Sequence, residues 1–173
     1  EIISVEIADN SIQLKEHPLV WMPTGFGISL AEILVKYFKP GMKGLELGLG
    51  SGVLSILAGL KGLKMAGLDI NEDAVKTASH NWELNELSPA NYDFRLSNLF
   101  SALKPDESET FDIIWSNPPV FPGLPENNFQ RNTRDEYELA GTDGRLVLDA
   151  MIRESGKWLR PNGKMIVIAT SLQ

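Results

Sequence analysis

The chain has 173 residues, of which 43% are hydrophobic and 23% charged, and these values are ordinary for a single globular domain with its own core. It contains no cysteine, which excludes disulfides, thiol nucleophiles and cysteine-ligated zinc and is compatible with a cytoplasmic protein. The formal net charge of −7 argues against nucleic-acid binding, because phosphate contacts usually require a basic face.

The first 23 residues are predicted to form a β-hairpin and a lead-in segment. Apolar residues alternate with polar ones from Ile3 to Ile7 and again from Ile12 to Leu14, on either side of a polar turn. The stretch ISLAEILVKYF follows as an amphipathic helix that ends before Lys39-Pro40-Gly41. We treat 1–173 as a single domain, with hairpin and lead-in over 1–23 and an α/β core over 24–173.

Strands alternate with helices through the rest of the chain. The strand segments are KGLELG, KMAGLDI, YDFRL, FDIIW and KMIVIAT. The helical segments between them are VLSILAGLKG, EDAVKTASHNWELNEL and GRLVLDAMIRESGKWL. This alternation indicates right-handed βαβ crossovers and a parallel sheet. The predicted fold is therefore α/β: a doubly wound, Rossmann-like sheet preceded by an N-terminal β-hairpin.

The segment ELGLGSG forms a glycine-rich turn between the first core strand and its helix. Glycines at such a turn let a ligand approach the backbone closely, and the helix N-terminus favours a negative group. The dinucleotide fingerprint G-x-G-x-x-G fails because Val53 occupies its last position, which argues against a nicotinamide-dependent oxidoreductase. From the glycines alone, a structural turn without a ligand is the alternative.

Polar residues at the ends of the neighbouring strands add to this signal. Asp69 ends the second core strand about 20 residues after Gly48, where an acid can accept both hydroxyls of a ribose; alternatively, LDIN only caps the next helix. Glu46 lies inside an apolar strand, where a carboxylate is costly unless it is paired. Asn98 follows the third strand and is suited to hydrogen-bond a base. Together these residues predict a nucleoside ligand at the carboxyl edge of the sheet.

The fourth core strand leads into the unusual sequence WSNPPVF. Two consecutive prolines remove two backbone donors and fix two φ angles, and each restricts the residue before it to extended conformations. Asn117 and Pro118 are therefore held in a stiff, extended connection. A strand-ending turn without a chemical role is the alternative interpretation.

The chain resembles the class I S-adenosylmethionine-dependent methyltransferases, and within them the branch with an N-P-P-[aromatic] motif. The resemblance is carried by four segments in this order: ELGLGSG, LDIN, SNLF and SNPP. That branch includes release-factor glutamine methyltransferases, small-domain methyltransferases and enzymes that methylate exocyclic amines of adenine or guanine. The resemblance runs from about Trp21 to the C-terminus, and EYELAGTDGRLVLDAM is similar to the segment after the motif in the release-factor group. Relatives add a helix and two strands after the fifth strand, so we expect this chain to lack the last strands of the family.

The resemblance implies S-adenosylmethionine as cofactor, S-adenosylhomocysteine as product and no metal. It implies cofactor contacts from Thr24, Gly25, Glu46, Gly48, Gly50, Gly52, Asp69, Ile70, Asn98, Leu99 and Asn117. It implies substrate contacts from Asn117, Pro118, Pro119, Val120 and Phe121. Asn117 and Pro118 would be catalytic, because the Asn117 side-chain oxygen and the Pro118 carbonyl can accept hydrogen bonds from the target N–H and so orient its nitrogen.

The motif departs from the family at its aromatic position, which Val120 occupies. Phe121 follows, but adjacent side chains of an extended chain point to opposite sides. This replacement leaves open which side chain stacks on the planar target, and therefore which substrate is used.

The predicted function is N-methylation of a planar amide or amine nitrogen. The acidic charge and the AGTDGR segment favour a glutamine side chain of a protein over nucleic acid as the macromolecular partner. The alternatives are methylation of an exocyclic amine of adenine or guanine in RNA or DNA, and a non-catalytic methyltransferase-like binding subunit. No apolar run is long enough to cross a bilayer and the first residues show no signal-peptide pattern, so we expect a cytoplasmic protein without a membrane partner.

Overall fold

The computed structural model describes residues 1–106, 109–120, 122 and 140–169. These ranges hold seven β-strands and four α-helices. In chain order they are β1 Ile2–Ile7, β2 Asn10–Lys15, α1 Gly25–Leu34, β3 Lys43–Leu47, α2 Val53–Leu60, β4 Lys64–Asp69, α3 Glu72–Leu84, β5 Tyr92–Leu96, β6 Phe111–Ser116, α4 Leu146–Ser155 and β7 Leu159–Val167.

The central sheet has five parallel strands in the order β5-β4-β3-β6-β7. The strand order therefore reverses at β3, the first core strand, which pairs with β4 on one side and β6 on the other. Such a reversal leaves a crevice outside the carboxyl ends of the strands, where ligands bind in open α/β sheets. β1 and β2 form a separate antiparallel hairpin. The predicted doubly wound α/β fold with an N-terminal hairpin is confirmed.

Both faces of the sheet are covered by apolar side chains. On one face the hairpin, α1, α2 and α3 surround a cluster that includes Trp82 and Trp115, both fully buried. On the other face Leu45 and Leu47 pack with Met151 of α4. Side chains along β3 thus alternate between the two faces, as strand geometry requires, and Glu46 points to the face that α2 covers.

Asn81 of α3 and Asn85, which directly follows this helix, attach the hairpin to the core. The backbone N–H of Gln13 donates to Asn85 Oδ1 at 2.9 Å, and Asn85 Nδ2 donates to the Gln13 carbonyl at 2.7 Å. One turn earlier, Asn81 Oδ1 accepts from the Lys15 N–H at 2.8 Å. These amide groups therefore satisfy backbone groups along β2 in the way that a neighbouring strand would.

Two element boundaries differ from the sequence-based prediction. α1 ends at Leu34, four residues earlier than predicted, because the N–H groups of Lys36 and Tyr37 bond back only three residues and tighten the chain into a turn. β7 begins at Leu159 and absorbs the predicted Arg160–Gly163 turn. Its pairing with β6 jumps from Leu159 to Lys164, so the stretch between is an irregularity at the start of the strand.

Candidate active site

The glycine turn between β3 and α2 presents one open position and two packed ones. Gly48, Gly50 and Gly52 all have positive φ, at 79°, 48° and 80°. A side chain at Gly48 would meet no atom of the described residues within 4 Å, whereas one at Gly52 would lie 2.7 Å from the Ala78 side chain and one at Gly50 would lie 3.0 Å from the Trp21 carbonyl. Gly48 is therefore the glycine whose backbone faces open space, and the other two allow close packing of the protein itself.

The lead-in segment lies against this turn. The Ser51 N–H donates to the Trp21 carbonyl at 3.0 Å, and Asn71 Nδ2 donates to the Leu19 carbonyl at 2.8 Å. Thr24 and Gly25 follow at the exposed start of α1. The segment before α1 thus bridges the glycine turn and the end of β4, which brings the first residues of α1 to this edge of the sheet.

Asp69 is tied to the same turn by its carboxylate. Asp69 Oδ2 accepts from the Gly50 N–H at 3.1 Å, and Oδ1 accepts from the Asn71 N–H at 2.8 Å. Burial raises the pKa of Asp69, and these backbone N–H groups act in the opposite direction. The backbone N–H groups of Leu49 and Ile70 also lower the pKa of Asp69. The next residue, Ile70, is an apolar side chain with 57% of its surface exposed.

Glu46 lies beneath the turn rather than at its surface. Its side chain is 2% exposed, and the Ser55 hydroxyl of α2 donates to it at 2.5 Å. Burial raises the pKa of Glu46 to about 8, so the carboxyl is protonated at neutral pH. The buried indole N–H of Trp115 is close enough to lower that pKa but does not reach hydrogen-bonding geometry with any described residue.

The end of β5 presents Asn98 to solvent. The Ser97 N–H donates to the Asp69 carbonyl at 2.8 Å, which holds this strand end beside that of β4. The Ser97 hydroxyl donates to the Leu99 carbonyl at 2.7 Å and accepts from the Ala102 N–H at 3.0 Å. Asn98 is exposed at the tip of this tight turn, and Leu99 has a positive φ of 49°.

Asn117 lies at the same edge, directly after β6. Leu47 and Ser116 are register partners, and the Ser116 hydroxyl donates to the Leu47 carbonyl at 2.6 Å. The residues that follow them, Gly48 and Asn117, are therefore neighbours across the gap between two adjacent strands, which are about 4.8 Å apart. Asn117 is exposed, whereas Pro118 is buried and fixes the chain behind it.

The structure thus brings most of the predicted site residues to one edge. The residues found there are Gly48, Gly50, Asp69, Ile70, Asn98, Leu99, Asn117 and Pro118. Thr24 and Gly25 follow shortly after Trp21, whose carbonyl contacts the glycine turn. Pro119 and Val120 continue from it, half-buried. Gly52 is buried as the residue before α2 and Glu46 is buried under the turn. Phe121 lies outside the described residues, as does the segment 123–139.

Sequence reasoning missed two residues that support this edge. Ser55 is a serine within the apolar helix α2, and a hydroxyl in such a helix was the available signal for a partner to the in-strand Glu46. Asn81 is fully buried on α3 and contacts both the hairpin and the glycine turn. Its role depends on contacts between distant segments that a single sequence does not reveal.

An open glycine backbone, an acid at the next strand end and an exposed asparagine before two prolines define a class I methyltransferase on this fold. Residues 12–133 match the family described as the methyltransferase small domain, and the chain belongs to that family. Its enzymatic class is S-adenosylmethionine-dependent methyltransferase, as the sequence indicated, and its cofactor is S-adenosylmethionine.

Relatives of known name agree with this assignment, and a solved structure shares the fold. The chain is 34% identical over 172 residues to a protein of Methanocaldococcus jannaschii named "Putative protein N5-glutamine methyltransferase", covering 99% of this chain and 80% of that protein. It is 31% identical over 133 residues to a release factor glutamine methyltransferase of Aliivibrio fischeri, covering 75% of this chain and 45% of that protein. The structure of the Thermus thermophilus 16S rRNA N2 G1207 methyltransferase with S-adenosylmethionine and guanosine superposes with a TM-score of 0.76 at 21% identity, over 99% of this chain and 42% of that one.

The residues present fit the cofactor. The open backbone at Gly48 leaves room for a ligand, and the Asp69 carboxylate at the next strand end is an acceptor suited to hydroxyl donors. Exposed Ile70 offers an apolar surface beside them. Throughout the described ranges, no helix has both the length and the apolar character needed to span a membrane.

Proposed function

We propose that this protein transfers a methyl group from S-adenosylmethionine to the side-chain amide nitrogen of a glutamine in a protein. The observation that carries the proposal is the exposed carboxamide of Asn117, held at the strand end beside the open backbone of Gly48 and followed by buried Pro118. The named activity of the Methanocaldococcus relative, which aligns over almost the whole chain, supports glutamine as the target.

In the proposed arrangement, Asp69 accepts hydrogen bonds from the cofactor's ribose hydroxyls. Gly48 lets the cofactor's methionine part approach the backbone, and Ile70, Asn98 and Leu99 surround its base. When bound, S-adenosylmethionine supplies a methyl group on a sulfonium, and the electrons of the broken S–C bond stay on sulfur to give S-adenosylhomocysteine. Glu46 lies buried beneath the turn as a neutral group bonded to Ser55.

The proposed role of Asn117 follows from the chemistry of an amide. An amide nitrogen is a poor nucleophile because its lone pair is delocalised over the carbonyl. Asn117 Oδ1 and the Pro118 carbonyl accept hydrogen bonds from the two N–H groups of the target nitrogen. These hydrogen bonds orient the nitrogen and favour pyramidal geometry as the new N–C bond forms. One of these hydrogens then leaves as a proton to water. A carboxamide cannot act as a general base at neutral pH, so this mechanism depends on positioning.

The test is to identify the methylated macromolecule and the atom that carries the label. The protein is incubated with methyl-tritiated S-adenosylmethionine and a cell extract, and the product is digested with protease or with nuclease. We expect label that only protease releases. Acid hydrolysis of the labelled protein should yield volatile methylamine, because an N-methylated glutamine amide breaks down to glutamate and methylamine, whereas methylated lysine or arginine retains its label.

The matched control is Asn117→Ala in the same extract, which should give little label. Label released by nuclease would instead indicate an exocyclic amine of a nucleic acid. Failure to label any macromolecule, in a protein that binds S-adenosylhomocysteine, would favour a binding subunit without catalytic activity. Either result would contradict the proposed function.

A further inference from the structure

Asn81 connects three separate parts of the molecule through one buried carboxamide. Its Nδ2 donates to the Ser51 carbonyl in the glycine turn at 2.9 Å. Its Oδ1 accepts from the Lys15 N–H of β2 at 2.8 Å, and Nδ2 also lies 3.5 Å from the Lys15 carbonyl. The side chain is fully buried on α3. A buried amide with both ends bonded fixes the groups it contacts, because losing either bond leaves a polar atom without a partner.

Both backbone polar groups of Ser51 are therefore hydrogen-bonded to groups outside the turn. Its N–H donates to the Trp21 carbonyl of the lead-in, and its carbonyl accepts from Asn81. The preceding Gly50 N–H donates to Asp69. Three backbone polar groups of the turn are thus bonded to three separate elements, namely the lead-in, α3 and the end of β4.

We propose that Asn81 is a positioning residue for the cofactor-binding turn. Its bond to Ser51 sets the conformation in which Gly48 is open and Gly50 reaches Asp69, while its bond to Lys15 makes that conformation depend on the docked hairpin. This inference rests on the cofactor part of the proposed function, namely that the glycine turn contacts S-adenosylmethionine. It does not depend on which substrate is methylated.

Asn85 provides an internal comparison one helical turn away. It bonds β2 through the same pair of amide contacts, to the N–H and the carbonyl of Gln13, and it also donates to the Asn81 carbonyl at 2.7 Å. Among the described residues, the hydrogen bonds of Asn85 go to Gln13 and Asn81 and do not reach the glycine turn. A role in holding the hairpin is therefore shared by both asparagines, whereas a role in holding the turn belongs to Asn81.

The experiment compares Asn81→Asp with Asn85→Asp in the full chain. Each aspartate keeps an acceptor for the β2 N–H and loses the amide donor. The donor lost in Asn85→Asp makes the shorter contact with β2, 2.7 Å to the Gln13 carbonyl against 3.5 Å from Asn81 to the Lys15 carbonyl, so loss of the donor weakens the hairpin contact at least as much in this control variant. Calorimetric titration with S-adenosylhomocysteine should give a dissociation constant about ten-fold higher for Asn81→Asp, equivalent to about 1.4 kcal/mol, and within about two-fold of wild type for Asn85→Asp. In the cofactor-free protein, hydrogen exchange at the Ser51 and Gly52 amides, measured against the amides of β3, should accelerate only in Asn81→Asp.

Several results would overturn the proposal. Equal weakening of cofactor binding by the two variants would assign both asparagines to the hairpin alone, and unchanged affinity in Asn81→Asp would remove the link to the turn. If Asn81→Asp does not fold, Asn81→Ala is measured in its place. Failure of both Asn81 variants to fold, with Asn85→Asp folded, would make Asn81 a determinant of folding rather than of position. Absence of S-adenosylhomocysteine binding in the wild-type protein would instead reject the cofactor site itself.

Discussion

Replacing Glu46 by glutamine should remove a large pH dependence of stability. The pKa of Glu46 is raised from 4.5 to about 8 because the carboxyl is buried, and the Ser55 hydroxyl only partly offsets that cost. A carboxyl with a raised pKa in the folded state contributes stability fully below pH 4.5 and loses it as the pH rises through about 8. The loss is about 1.4 kcal/mol per pH unit inside this window and on the order of 5 kcal/mol across it.

Glutamine keeps an acceptor for Ser55 but cannot ionise. The free energy of unfolding is measured by urea denaturation at pH 5, 6, 7 and 8 for wild type and Glu46→Gln, with exposed Glu32→Gln as the control. We expect the stability of wild type relative to Glu46→Gln to fall steadily as the pH rises, and the Glu32→Gln variant to follow wild type. A constant difference between wild type and Glu46→Gln over this range would show that Glu46 is not the buried neutral acid described above.

Three further predictions concern the proposed cofactor-binding and catalytic residues and the glycine turn. Asp69→Ala should weaken binding of S-adenosylhomocysteine by roughly 1–3 kcal/mol in calorimetry, because hydrogen bonds to a charged acceptor are lost; unchanged affinity would contradict the ribose role. Asn117→Ala should slow single-turnover methyl transfer by on the order of a hundredfold while cofactor affinity stays within about threefold, and Asn117→Asp should retain more activity than Ala. Gly48→Ala and Gly52→Ala share the strain of a positive φ, but only Gly52→Ala forces a side chain against Ala78. In thermal denaturation, Gly52→Ala should therefore be less stable than Gly48→Ala by roughly 1–3 kcal/mol. Gly48→Ala should mainly weaken cofactor binding.

The parallel sheet could be predicted from the sequence because its signals are local. Apolar strands such as MIVIA differ plainly from the amphipathic helices between them. The start of α3 is also encoded locally, because Asn71 caps it by accepting a hydrogen bond from the Asp73 N–H. Residues at strand ends are brought together by the topology itself. The sequence alone therefore suffices to assign Gly48, Asp69 and Asn117 to one edge of the sheet.

The remaining features depend on contacts between distant segments. That Gly52 packs on Ala78, and that Glu46 lies under the turn, follows from how α2 and α3 pack on β3. The bonds of Asn81 to Lys15 and Ser51 likewise join three elements whose relative placement no local pattern specifies. The early end of α1 at Leu34 shows that the periodicity of apolar residues does not fix where a helix ends, because the apolar pattern continues beyond the last helical residue.

The central place of β3 in the sheet has a consequence for the order in which the enzyme is assembled during synthesis. The hairpin, the glycine turn, β4 and α3 form one continuous stretch of chain, so they can meet while the ribosome is still making the rest. β6 must instead insert beside β3 across a separation of 69 residues, which makes it a late and slow step. A nascent chain stalled before β6 should therefore already form the proposed cofactor-binding part of the site, but it should lack Asn117.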